Sequence, residues 1–353
     1  MLPPLAWTHF HHRGDADGNP IAEAVPIYGC VQDAIEGLKS IIKHHDERLA
    51  HAHSNRRFQM GQSIFGDQIP NWGRTHLFYR GHESIKYDVL PTLLRLNRDR
   101  ESTLTDICQR QQSLNAVLHR LDELSGTKSD FAFLKDLSSA QREALARHYG
   151  CPSSMLDVST SIDVAAHFAT RSAKRQAPEK DLGILFAFNL LDILNLSGMT
   201  QSGPTDNGVG YRFTPIGRVS RQMLVFESPQ RAHWENYDIY FSRERTFTLS
   251  FEFVYVPGIH RIDVQQAAFF SANYAIGQEP ENQQDSDPLA VVAAWEIIQA
   301  FSYKACFVQS GQAYTSFLPD SNGDCIYPAD HVTNQMDSII NEKLTNRSTG
   351  AAG

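Results

Sequence analysis

An arginine at the end of an apolar strand, a run of hydroxyl residues before a helix and a histidine at a helix terminus are the side chains best placed for chemistry. In His76 to Arg95, H-L-F-Y-R-G-H-E-S-I-K-Y-D-V-L-P-T-L-L-R, Leu77, Phe78 and Tyr79 read as a buried strand. Arg80 stands at its end, and Gly81 after it allows a tight turn. A guanidinium leaving an apolar strand is costly to bury without a partner, so Arg80 requires a structural carboxylate or an anionic ligand. Asp157 is a candidate for that carboxylate.

Leu145 to Thr170 reads L-A-R-H-Y-G-C-P-S-S-M-L-D-V-S-T-S-I-D-V-A-A-H-F-A-T. A helix carrying His148 and Tyr149 stops at Gly150, Pro152 turns the chain, and a short strand spans Met155 to Val158. Ser159, Thr160 and Ser161 precede a second helix whose Ile162, Val164, Ala165, Phe168 and Ala169 form a packing face. Unpaired N–H groups at a helix start, with hydroxyls beside them, suit phosphate, ribose or carboxamide oxygens. The alternative is that Ser161 is an N-cap.

These residues must be held by a substantial fold, and 353 residues with 41% hydrophobic and 20% charged content can supply one. The formal net charge of −8 disfavours non-specific coating of nucleic acid. Two local basic stretches, Arg95 to Arg100 and Arg171 to Arg175, read as solvated helix faces. Five scattered cysteines without a C-x-x-C argue against disulfides or structural zinc and for a reducing, cytoplasmic setting. No apolar run has the length of a membrane span, and Met1 to Cys30 lacks a signal-peptide layout. His9 and His11 lack a third ligand, and the H-x-E triplets at His45 and His233 lack partner motifs, so no metal site is expected.

In order, residues 1–25 read as an irregular arm, 26–335 as one domain and 336–353 as a tail with one short helix and a disordered end. Val31 to Ile42 carries a helical stripe, and Leu104 to Ala146 carries more. Gly183 to Leu190 predicts a central strand. Ser197 to Gly217 reads as a long loop that could deliver Tyr211 and Phe213 to a following strand at Arg218 to Phe226. Leu249 to Tyr255 alternates as a half-buried strand, and Val264 to Phe270 reads as a helix.

Four ordered blocks resemble the FRG domain family. They are F-Y-R-G at 78–81 with L-P-T-L-L-R at 90–95; H-Y-G-x-P at 148–152 with L-D at 156–157 and S-x-x-x-A-x-x-F-A at 161–169; R-V-S-R-Q-M-L-V-F at 218–226; and F-L-P-D-S-N-G at 317–323. The first and second fall within 76–95 and 145–170. The chain departs from the family where Ser153 and Ser154 replace a Thr-Arg pair and Val158 replaces a Trp.

Within this lies a resemblance to ADP-ribosyltransferases: Arg80 on an early strand, Ser159 to Ser161 leading into a helix, and Gln222 on a later strand. It implies an α+β domain with a split, mixed β-sheet flanked by helices. It further implies NAD as co-substrate and a macromolecular acceptor, protein or nucleic acid. It would make Arg80, Ser161, Gln222 and His148 the catalytic set, and Tyr79, Arg80, Gly81, Tyr149, Ser159, Thr160, Phe168 and Tyr211 the NAD lining. Gln222 cannot be a base; Glu227 could take its place only if a bulge intervenes, and His148 or Asp157 could supply the base. A toxin-like or antiphage effector, with a possible antitoxin or regulatory partner, is one expectation. A non-catalytic nucleotide-binding or interaction module is the other, and a glutamate in the pocket would favour the enzyme.

Overall fold

The computed structural model describes residues 3–12, 21–52, 75, 77–87, 89–94, 104–127, 129–171, 182–189, 200–204, 210–214, 247–256, 258–276, 295, 299, 302–315, 326–327 and 331–345. In chain order the elements are β1 (Ala6–His12), β2 (Ile21–Tyr28), α1 (Val31–Ala52), β3 (Leu77–His82), α2 (Leu104–Thr127), a 3-10 helix (Ser129–Asp136) and α3 (Ser139–His148). They continue as β4 (Leu156–Ser159), α4 (Ile162–Thr170), β5 (Leu182–Asn189), β6 (Thr200–Pro204), β7 (Gly210–Thr214) and β8 (Phe247–Val254). The last are α5 (His260–Val264), β9 (Ala267–Ile276), β10 (Ser302–Val308) and α6 (His331–Thr345).

The strands among the described residues form one mixed sheet, ordered β1-β2-β10-β5-β3-β4-β9-β8-β7-β6. β10 runs parallel to β2, and the other pairings are antiparallel. The fold is thus the expected α+β domain with helices flanking a mixed sheet. β5 is central, as its unbroken apolar run predicts, because a strand covered on both faces has no reason to alternate.

The sheet has two halves with separate cores. On one side of the order, Leu185, Ala187, Tyr303, Ala305 and Phe307 pack against Ala34, Ile35 and Leu38 of α1 and Ala166 and Ala169 of α4. On the other, Val254, Ala267 and Phe269 pack with Leu114, Val117 and Leu121 of α2, Ala144 and Leu145 of α3, and Met336 and Ile340 of α6. The halves meet at β3 and β4, which share one register pair, Tyr79 with Ser159. β3 instead pairs with β5 from Leu77 to His82, and β4 with β9 from Leu156 to Ser159. Strands joined by one pair leave an opening in the sheet there.

Several expectations are corrected. The arm at 1–25 is not irregular: β1 and β2 lie within or across it as an antiparallel pair, continued into the sheet where Ile27 and Tyr28 adjoin Cys306 and Phe307. Its strand pattern is masked by His, Pro and Gly, but Val25 and Tyr28 are buried and anchor it. The tail is part of the domain, since α6 begins at His331 and buries Met336, Ile339 and Ile340 beside α2 and α3. Ser197 to Gly217 contains β6 and β7, which pair with each other. Val264 to Phe270 is not a helix: Gln266 turns the chain at φ 44°, and Ala267 onward is β9, where hydrogen bonding to both β4 and β8 outweighs local propensity. Arg95 to Arg100 and the blocks at 218–226 and 317–323 lie outside the described residues, as does 346–353.

Candidate functional site

The motif blocks at 76–95 and 145–170 have structural tasks at the opening. α3 starts on a capping box between Ser138 and Gln141 and ends before Gly150, whose φ of +97° stops the helix and leaves His148 at the cleft. The chain then turns through Cys151 to Ser154, where one oxygen of Glu143 accepts from Ser153 Oγ (2.8 Å), Ser154 N (3.0 Å) and Ser154 Oγ (2.7 Å). Ser153 also ties this turn to Thr92, through Ser153 N to Thr92 Oγ1 (3.1 Å) and Leu93 N to Ser153 O (3.1 Å). The two serines that depart from the family's Thr-Arg pair thus bind a carboxylate by neutral donors. Burial, reinforced by Glu143 and opposed by Arg147, pushes the Cys151 thiol up to about 12, so it stays protonated and is no nucleophile.

The sequence predicts a tight turn at Gly81, but the residue lies inside β3. A Cβ there would run into the carbonyl oxygen of Ala165 and come within 2.8 Å of Ala169 Cβ. The glycine lets α4 lie against the strand, which brings Phe168 and Arg171 to the cleft.

Arg80 braces the opening. Its Nη1 donates to the main-chain oxygen of Asp157 on β4, and its Nε donates to His82 Nε2 (2.8 Å). With Nε2 accepting, His82 carries its proton on Nδ1, which lies 3.2 Å from Tyr87 O. The carboxylate of Asp157 is not the partner of Arg80: Oδ2 pairs with Arg147 Nη2 at 2.9 Å. Strand alternation turns that side chain towards α3, and only the backbone of Asp157 meets Arg80.

The three hydroxyls are largely spent on the chain itself. Ser159 Oγ donates to Gln265 O (2.8 Å) and accepts from Ser161 N (3.0 Å). Thr160 Oγ1 donates to Gln266 Oε1 (3.2 Å). Ser161 Oγ accepts from Val164 N at 3.4 Å, the N-cap alternative. Ser161→Ala is therefore expected to lower stability by about 1 kcal/mol in urea denaturation, with ligand affinity unchanged. Loss of affinity at unchanged stability would reverse that assignment.

The opening is a cavity of about 760 Å³, within the ~300–1,000 Å³ range usual for cofactor-sized ligands. Of the residues that the sequence singles out, Tyr79, Arg80, Gly81, His148, Ser159 and Phe168 line it. Tyr149, Thr160 and Ser161 are not in its wall; Tyr149 is buried in the core with α2 and α6. Tyr211 lies on β7, separated from β4 by β9 and β8, which removes it from the β3–β4 opening. Gln222 lies outside the described residues. The wall also holds His82, Glu83, Lys86, Tyr87, Asp157, Arg171, Arg261, Gln265 and Tyr327. Arg171 was readable only as part of a charged stretch, and no local motif marks Arg261 or Tyr327.

Tyr327 is presented by Gln265, whose Nε2 donates to Ile326 O (2.8 Å). Arg171 Nη1 donates to the Tyr327 hydroxyl (2.8 Å). The Arg171 and Arg261 guanidinium carbons lie 4.5 and 4.9 Å from its ring centroid. Burial raises the Tyr327 hydroxyl pKa and Glu83 adds to this, while the two arginines oppose it. The phenol stays protonated at neutral pH. Arg80, Lys86, Arg171 and Arg261 outnumber Glu83 and the Arg147-paired Asp157, so the cavity favours an anionic ligand.

Fold and site together define an α+β protein with a basic, aromatic-walled cleft where its sheet opens. Residues 75–178 match the family model of the FRG domain, and over that segment the chain is similar to the family. No curated protein and no solved structure matches the chain. The matched segment supplies Arg80, Glu83, His148, Phe168 and Arg171, whereas Arg261, Gln265 and Tyr327 come from beyond it. Among the described residues no helix is long and apolar enough to cross a membrane, and no group of three His, Cys, Asp or Glu could hold a metal.

Proposed function

We propose that the cleft binds NAD and that the protein is an NAD-dependent ADP-ribosyltransferase. The observation that carries this reading is a carboxylate, Glu83, in the wall of a dinucleotide-sized basic cleft. NAD would supply a nicotinamide–ribose bond that breaks with its electron pair leaving on nicotinamide, while an acceptor nucleophile bonds to the same ribose carbon and releases its proton. The protein's part is to hold the ligand and stabilise the positive charge that develops at that carbon. Glu83 is the group for that charge and for the acceptor's proton. Tyr79, Tyr87 and Phe168 offer ring faces or edges for the bases, and the arginines offer donors for the phosphates.

The acceptor is a protein or nucleic acid of the cytoplasm, and the protein acts as a toxin-like or antiphage effector held in check by a neutralising partner. A non-catalytic nucleotide-binding module is the second reading. It is favoured by the internal engagement of Arg80, whose Nε and Nη1 serve His82 and Asp157.

The test is incubation of the purified protein with NAD labelled on its adenylate half, with and without cell lysate. Free nicotinamide and label transferred to macromolecules are followed together. Transfer establishes the enzyme and names the acceptor class. A thermal shift with NAD and no nicotinamide release supports the module.

A further inference from the structure

We propose that Arg171 and Arg261, packed against Tyr327, form the diphosphate subsite of the cleft and select ligands carrying two linked phosphates. This rests on the reading of the cleft as a nucleotide site, but not on turnover.

The first reason is charge. Among the described residues neither guanidinium is in an ion pair, although both line the cavity. Arg261 Nε is buried without a hydrogen-bond partner. Two cations held against one ring repel each other, and an anion shared between them removes that repulsion.

The second reason is geometry. Arg261 lies between two rings, with its guanidinium carbon 5.1 Å from the Tyr149 centroid and 4.9 Å from that of Tyr327. Arg171 is 4.5 Å from the Tyr327 centroid and is fixed by its hydrogen bond to the phenol. Aromatic contact restrains a guanidinium while leaving N–H donors for oxyanions, so the pair is organised before a ligand arrives. Arg80, which the sequence suggests as the phosphate anchor, instead uses Nη1 to brace β3 against β4 and Nε to hold His82 of its own strand.

The subsite is composite. Arg171 ends the FRG-matched α4 region, while Arg261 and Tyr327 belong to the later chain. A monophosphate brings one charged group to two separately anchored arginines, whereas a diphosphate brings two. A diphosphate can engage both, and the subsite thus discriminates ADP from AMP.

The test is calorimetric titration of the full-length protein with inorganic pyrophosphate, ADP and AMP, beside Arg171→Gln, Arg261→Gln and the double variant. The wild type is expected to bind ADP about tenfold or more tightly than AMP. Each single change should weaken ADP and pyrophosphate about tenfold or more, by loss of charge-assisted bonds, and should reduce the preference over AMP. Thermal unfolding of every variant reports folding; Arg171→Lys and Arg261→Lys provide second variants that keep charge, with partial recovery expected. No binding of ADP or pyrophosphate by the wild type, or unchanged affinity in a folded double variant, overturns the subsite. NAD turnover measured in parallel separates the two readings. Arginine-dependent ADP binding without turnover keeps the subsite and removes the transferase, whereas turnover with arginine-independent ADP binding does the reverse.

Discussion

Gly81→Ala should destabilise the protein by about 3 kcal/mol, and Gly81→Val by more, because the added carbon has nowhere to go. It would overlap the Ala165 carbonyl oxygen and approach Ala169 Cβ to 2.8 Å. The first of these atoms is helix backbone, so relief requires α4 to move as a unit rather than a side chain to turn. Ala166 and Ala169 are fully buried in the core that holds α4, and that core resists the shift. Because Phe168 and Arg171 ride on the same helix end, the cleft should also lose ADP affinity. Urea denaturation and ADP titration test both effects, and a stability change below about 0.5 kcal/mol would show that α4 is not held as tightly as its packing indicates.

Glu83→Gln should lower NAD turnover about 100-fold or more while leaving NAD affinity within a few-fold of wild type. The substitution keeps shape and hydrogen-bonding capacity but removes the charge that a developing positive centre needs. The backbone at Glu83 is well fixed. Gln309 Nε2 donates both to its main-chain oxygen (3.0 Å) and to Ala169 O (2.8 Å), locking the end of β3 to the end of α4. Its charge also reaches Tyr327. Asp157, the other carboxylate in the wall, is committed to Arg147. Turnover and binding constants measured separately decide the matter. Undiminished turnover in Glu83→Gln would remove this residue from the chemistry, and equal loss of affinity and turnover would make it a binding group.

Much of the framework is legible in local pattern. The apolar run of β5, the stop at Gly150, the cap at Ser161 and the alternation of β8 express short-range rules: burial on two faces, a left-handed φ, a hydroxyl at a helix start and a period of two. Arg80 was identifiable for the same reason, since an arginine ending an apolar strand must answer for its charge. The family blocks at 76–95 and 145–170 cover β3, the end of α3, β4 and α4.

What Arg80 answers to was decided only by the tertiary structure. Arg80 donates to a backbone oxygen 77 residues away and to a neighbouring histidine, not to the expected carboxylate. The role of Gly81 changed similarly, because a glycine needed for helix approach and one needed for a turn look alike in sequence. β9 took a helix-like segment into the sheet because β4 and β8 offered it hydrogen bonds on both sides. Arg261 and Tyr327 had no local signature at all. They join Arg171 because α5 and the segment at 326–327 are held against the β4–α4 turn through Gln265. Local periodicity records which face of an element is buried, whereas a cleft is made by the approach of faces from distant parts of the chain.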